Sequence, residues 1–414
     1  MTVHGRLAVV VVPQDALEAS RLPGKAYRLV GAVVDFVNDI QVRGVYARHE
    51  LPAAAMRAYH ADYYLAQVNN GGHSQFIGNT GLAMLPSTAA DALAGMKAMG
   101  AKAQRRILRD MLAWVRANPD EAASQNGFSA RAAALDALDE RFYAAEREMK
   151  MTELSARWIA AWSGLRAVPR EQYQTAIEQL AQLNPLLIPR QTWQNVQQLR
   201  FQMTDPLQIT IAAACGAVKP EPEPKLAVGV GRQMEVDGEI CGKVFDIQTT
   251  RGTRVCVFEE TGGRLYEYIL RSPIPKLENL KLEDVENFQR PVVGARLSTV
   301  DADTIGRFVK VANNTLAPEA IDLLLRGAGL DPTAKVTAWQ ALDEGAAWIV
   351  ATGQTQLVVA TLATAAVLAN PDQTPILKAS REQIEHHART AAAAGASLEP
   401  RGWWTAIRRW LAKQ

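Results

Sequence analysis

Apolar residues recur at helical spacing through the first half of the chain and at a spacing of two through its middle. A short run over 6–12 reads as a buried strand. After Pro23-Gly24, Val30, Val33, Val34 and Val37 hold one helix face; Met56, Tyr59 and Tyr63, with Leu65 and Val68, hold another over 52–68. Thr88-Ala89-Ala90-Asp91 has the form of a capping box, and Gly100 stands where a C′ residue belongs. Ile107, Met111 and Trp114 mark a helix ending at Asn118-Pro119; Leu135, Leu138, Phe142 and Met149 mark the next, after Ser129. Leu154, Trp158 and Trp162 continue the period. Pro169 opens a helix carrying Tyr173, Ile177 and Leu180, closed by Asn184-Pro185, and Trp193, Val196 and Leu199 follow. These elements predict a helical domain over 1–215.

Lys219-Pro220-Glu221-Pro222-Glu223-Pro224-Lys225 alternates proline with charge, which resists helix and sheet and predicts a linker over 216–225. Beyond it, strand-like stretches fall at 240–249, 254–259 and 264–270, with a further pair at 292–300 and 306–311. They predict a β-rich domain over 226–315, a small antiparallel sheet or barrel. The region 316–414 is expected to be mainly helical. A helix at 318–330 opens it, and another runs from Ser380 through His386-His387 to Gly395, its adjacent histidines read as surface residues because they point about 100° apart. Residues 339–369 fit either a hairpin around Gly353-Gln354 or a helix. The fold class is therefore α+β, with a mostly helical N-terminal domain, a β-rich middle and a helical C-terminal end.

One stretch stands apart. The helix over 52–68 runs into Asn69-Asn70-Gly71-Gly72, residues that reach positive φ at least cost and suit a left-handed cap and a sharp turn. His73, Gln75 and Asn79 then surround Phe76 and Ile77 with donors and acceptors. Amides at such a corner satisfy backbone groups stranded by the turn, or they face outward for recognition. Asn69, Asn70, Gly72, His73, Gln75 and Asn79 are accordingly the candidate binding residues.

The pattern Val68-x-Asn70-Gly71-Gly72-x-x-Gln75-Phe76-x-x-Asn79, with Ala98-Met99-Gly100-Ala101 and Leu138-Asp139-Glu140-Arg141-Phe142-Tyr143 further on, resembles the bacterial DNA-mimic-protein-like family over roughly residues 30–155. The resemblance implies a mostly helical, non-enzymatic domain that binds another protein, the namesake using an acidic surface to imitate DNA.

Charge departs from that pattern. The 414 residues carry 45 Lys and Arg against 43 Asp and Glu, a formal net charge of +2. A duplex mimic needs dense unpaired carboxylates and a nucleic-acid binder needs a basic face; the balanced total supports neither, so no direct nucleic-acid contact is expected. On the helix after Ser129, Asp136, Asp139, Glu140, Glu146 and Glu148 are interleaved with Arg131, Arg141, Arg147 and Lys150, a solvated face rather than an acidic stripe.

Cys215, Cys241 and Cys256 lack metal-ligand spacing and fit a reduced, cytoplasmic setting. No zincin, Walker, dinucleotide-binding or nucleophile-elbow motif occurs, so no cofactor, metal or catalytic residue is assigned. At the C-terminus Trp403, Trp404, Ile407, Trp410 and Leu411 alternate with Arg401, Arg408, Arg409 and Lys413 as a basic amphipathic helix. It docks on its own domain, or it meets a membrane surface or a partner through Trp403, Trp404, Arg408, Arg409 and Trp410. The function expected is non-catalytic protein binding, regulatory or toxin-neutralising, the partner being a toxin or a DNA-binding regulator. The alternatives are an enzyme with a site in the C-terminal half and a peripheral membrane protein.

Overall fold

The computed structural model describes residues 2–3, 6–269 and 292–398. They form an α+β protein with two compact units, one holding Met1–Ile188 and the other Pro189–Gly395.

In the first unit, β1 (Thr2–Val3) pairs with β2 (Arg6–Leu7), and β3 (Val10–Pro13) is followed by helices α1 (Gln14–Ala19) and α2 (Tyr27–Gly44). Leu29, Val30, Val33, Phe36, Val37 and Ile40 of α2 are buried, so the valine-rich stripe is a core face, where burial outweighs modest helix propensity. Next come α3 (Ala53–Thr80), α4 (Leu85–Met99), α5 (Lys102–Ala117), α6 (Pro119–Ser124), α7 (Ala133–Glu148) and α8 (Met151–Ala160). Strand β4 (Leu165–Val168), which the apolar pattern did not reveal, pairs in parallel with β3 before α9 (Tyr173–Gln182). The N-terminal half of α3 packs into a core with α2, α9 and β3; its C-terminal half packs into a second core with α4, α5 and α7. Gly100 closes α4 with φ 85°, as expected. The capping box at Thr88 is corrected: the N-cap is Met84, four residues earlier, and Thr88 lies inside α4. The Asp91 carboxylate instead binds Arg48 (2.5 Å) and His60 (2.9 Å), which together hold it below its usual pKa despite burial. Met149 is exposed, beyond the end of its stripe.

The second unit begins at Pro189, within α10 (Leu187–Thr204), and continues with α11 (Pro206–Gly216). Every residue of α11 from Ile209 to Gly216 is buried, as an all-round apolar helix requires. It packs against both sheets of this unit. A Cβ at Gly216 would lie 2.0 Å from the Trp339 carbonyl oxygen, so only glycine permits this approach. One sheet comprises β5 (Lys225–Val228), β6 (Arg232–Val236), β7 (Glu239–Thr249), β8 (Gly252–Glu259), β9 (Gly262–Ile269) and β10 (Val292–Asp301). Its order is β10-β9-β8-β7-β5, with β6 also on β7; it is open, so the barrel form is excluded. The expected strand at 306–311 is instead part of helix α12 (Ala302–Asn314), whose N-terminus is capped by the Asp301 side chain accepting from Thr304 N at 2.7 Å. Ile305, Phe308, Val309 and Ala312 supply its inward face, a helical period read too briefly as alternation. After α13 (Ala317–Gly327) comes a five-stranded antiparallel meander: β11 (Lys335–Leu342), β12 (Gly345–Thr352), β13 (Thr355–Leu362), β14 (Ala365–Ala369) and β15 (Pro375–Ser380). The hairpin at Gly353 is thus realised, and helix dominates 316–398 only at its ends, closing with α14 (Arg381–Gly395).

The Pro-Glu stretch is anchored within this unit. Glu223 is buried, accepting from Arg254 Nε at 2.7 Å and Nη2 at 3.1 Å, and its backbone N–H reaches the Cys215 carbonyl. Lys225 is also buried, which pushes its ammonium down to about 8. The surface reading of the paired histidines is likewise corrected for His387. Its Nε2 meets the fully buried Asp322 carboxylate at 2.8 Å, where Arg326 Nε (2.9 Å) and Asn195 Nδ2 (3.3 Å) also donate.

Candidate functional site

The Asn-Gly corner breaks α3 in two. Gly71 takes φ −157°, ψ 22° and Gly72 takes φ 75°, ψ −175°, a conformation open only to glycine; helical geometry resumes at His73 and continues to Thr80. The segment after the corner is therefore a second helix, and the corner a kink between helices rather than a left-handed cap.

A helix that restarts needs a new N-terminal cap, and here it comes from a distant part of the chain. Asp139 of α7, 3 % exposed, accepts from the backbone N–H of His73 at 2.8 Å and meets His73 Nδ1 at 2.5 Å through the same oxygen. A carboxylate only accepts, so Nδ1 carries a proton; on the other side of the ring Nε2 pairs with the Tyr64 hydroxyl at 2.7 Å. Burial, with the nearby Asp139 and Glu146, raises the Tyr64 pKa well above 10 and keeps that hydroxyl protonated. The second Asp139 oxygen receives Arg131 Nη2 at 3.0 Å. Arg131 Nη1 donates to the Gly71 carbonyl at 3.0 Å, one of the groups freed by the kink. The Asp139 carboxylate leaves no room for a side chain at position 72, where a Cβ would lie 2.0 Å from Oδ2.

Amides brace the bend. Gln75 Nε2 donates to Gln67 Oε1 at 3.0 Å, Asn79 Nδ2 donates to the same oxygen at 2.6 Å, and Asn70 Nδ2 reaches Gln75 Oε1 at 3.1 Å. Tyr143 Oη donates to the Val68 carbonyl at 3.0 Å. The bend also fixes the loop at 125–132: Gly127 N donates to Ser74 Oγ, whose hydroxyl donates to the Ala130 carbonyl. Asn126 Oδ1 accepts from Phe128 N and Ala130 N within that loop. Phe128 itself is 76 % exposed, a large aromatic side chain displayed on a cross-braced loop.

Of the six candidates, Gly72, His73 and Gln75 are buried and Asn69, Asn70 and Asn79 are exposed, all within one bend. Trp403, Trp404, Arg408, Arg409 and Trp410 lie outside the described residues. Tyr64, Gln67, Ser74 and Phe128 escaped the sequence reading, which set Arg131 and Asp139 on a solvated face; for Asp139 that is corrected, since it is buried against His73. Asp139 left a trace: Leu135, Leu138, Asp139 and Phe142 share one helical stripe, so an acid occupies a core position. Of the other acids expected on a solvated face, Asp136, Glu140 and Glu148 are exposed, whereas Glu146 is part-buried and accepts from Gln104 Nε2 at 2.8 Å and from Met151 N at 3.1 Å.

A Tyr-His-Asp chain suggests proton relay, but Tyr64 and His73 are fully buried, and every ring nitrogen and both carboxylate oxygens are engaged. The arrangement holds backbone. Among the described residues no group of three or more His, Cys, Asp or Glu side chains is placed to hold a metal ion, and no helix is long and apolar enough to cross a membrane.

A family model, DMP19-like protein, matches residues 49–162. This segment contains the whole bend, the 125–132 loop, α7 and α8. No curated protein and no solved structure matches the chain. The matched segment holds 12 Asp and Glu against 12 Lys and Arg, so it carries no formal net charge.

Proposed function

We propose that the chain is a non-catalytic protein-binding module, regulatory or toxin-neutralising in role, and that its contact surface is the outer side of the bend: Phe128 with Asn69, Asn70, Asn79 and Arg131. The family match over 49–162 supports a protein-binding role of the DNA-mimic type. Charge does not support imitation of a duplex, because the segment is neutral and its acids are interleaved with bases. The observation that carries the reading is the loop at 125–132. Hydrogen bonds from the bend and from α7 cross-brace it, and it displays an aromatic side chain to solvent. Interface hot spots combine these two properties, a large aromatic anchor and low ordering cost on binding. The partner is a toxin or a DNA-binding regulator.

A photo-crosslinking residue at position 128, introduced into the full chain in its native cells, tests this. One discrete adduct, lost when Arg131→Ala loosens the loop and absent with the probe at the exposed Ala123, supports the reading. An intact protein that gives no adduct at 128 refutes it.

A second reading, ligand binding or catalysis in the C-terminal half, is favoured by one feature. A cleft of about 440 Å³ is lined by Arg307 and Lys310 of α12 and by Asp343 and Glu344 of the β11–β12 turn. That volume lies within the range of small-molecule sites.

A further inference from the structure

The neutrality of the matched segment conceals an uneven distribution. On α5, Lys102, Arg106, Arg109 and Arg116 are all exposed, and none has a hydrogen bond or ion pair among the described residues. At about 100° per residue they lie, with the exposed Ala113, within an arc of about 80°. Gln104, Ile107, Leu108 and Met111 are buried on the opposite side. The row runs about 21 Å along the axis at 1.5 Å per residue. Asp110, the helix's one acid, points off the row and is engaged by Arg141 of α7 at 2.6 Å, so it does not neutralise these cations.

Four unpaired cations in line repel one another and are stabilised by a polyanion laid along them. A protein–protein interface normally has an apolar centre from which charged residues are depleted, arginine being favoured only beside such a centre. The other exposed positions beside this row are Ala103 and Ala117, and the helix's large apolar residues Leu112, Trp114 and Val115 are only part-exposed. A phosphate backbone needs no apolar centre, and interfaces with nucleic acid are markedly cationic. No exposed aromatic side chain stands in the row to stack unpaired bases. We infer that the outer face of α5 binds the phosphate backbone of duplex nucleic acid without reading its sequence. This goes beyond the protein-binding proposal, which concerns the bend.

The probe is a fluorescein-labelled 20-base-pair DNA of arbitrary sequence, with anisotropy measured on the full chain. Four phosphate contacts predict a log–log salt slope between about −3 and −4, a loss of roughly 100-fold from 50 to 200 mM salt. The double variant Arg106→Glu, Arg109→Glu should bind at least ~10-fold more weakly with the slope reduced by about 2, since each phosphate contact contributes nearly one unit. Arg166→Glu, an exposed charge reversal on β4, should leave binding unchanged. Unchanged circular dichroism establishes that the double variant is folded. Absence of duplex binding at 50 mM salt overturns the inference, as does binding indifferent to the α5 reversals. Competition by polyglutamate as effective as by unlabelled duplex at equal charge would replace it with an acidic protein partner.

Discussion

Replacing Gly72 with alanine tests whether the bend is held by Asp139 or simply permitted by glycine. Two costs are expected. The first is backbone strain: φ 75° with ψ −175° lies in a region essentially closed to residues with a Cβ, at about 1–3 kcal/mol. The second is steric. The new Cβ would lie 2.0 Å from Asp139 Oδ2, so the carboxylate must move and give up contacts to Arg131 and to His73. Stranding buried donors of this kind costs about 2–4 kcal/mol in total. Gly81 separates the two. It has a similar backbone (φ 72°, ψ 144°) but nothing within 4 Å of its virtual Cβ, so Gly81→Ala reports strain alone. Hydrogen-exchange mass spectrometry on the full chain, read on peptides covering 53–80 and 133–148, compares the variants segment by segment. Gly72→Ala should lose protection about 30- to 1,000-fold beyond Gly81→Ala, the equivalent of 2–4 kcal/mol at 1.4 kcal/mol per tenfold. Equal losses in the two variants would refute the view that a carboxylate from α7 caps the restarted helix.

Tyr64→Phe leaves His73 Nε2 buried without its partner and should cost about 1–3 kcal/mol, with the loss concentrated in the same exchange peptides. Asp62 faces Val30, Leu65, Met99 and Met151, and burial pushes its carboxyl up to about 7 from 3.8. The folded state keeps that proton to near pH 7 while the unfolded chain releases it near pH 4, so Asp62 lowers stability progressively between those values and by a constant amount above. Asp62→Asn should therefore raise stability at pH 8 by roughly 1–4 kcal/mol and leave it unchanged at pH 4, as read by urea unfolding at both. Asp322→Ala strands Arg326, His387 and Asn195 around an emptied buried site and should cost about 3–5 kcal/mol, freeing α14 in exchange measurements.

Local pattern carried much of this architecture. The valine stripe of α2, the stop at Gly100 and the strands β7 to β10 each follow from spacing and turn chemistry, both properties of neighbouring residues; β5 and β6 left no such pattern, and the hairpin at Gly353 was one of two forms that spacing allowed. The bend in α3 was also legible, because Asn-Asn-Gly-Gly can continue a helix only at a cost. Tertiary structure decided what occupies that bend. Asp139 lies 66 residues from the His73 backbone it caps, and nothing local distinguishes it from the solvated acids around it except its place on the buried stripe. The same holds for His387, read as a surface residue until Asp322 is brought beneath it, and for Glu223, drawn from an apparent spacer onto Arg254. Periodicity reports which face of an element avoids water. Which partner waits on that face depends on how the chain returns to it, and the cost of burying an unpaired charge then settles the match.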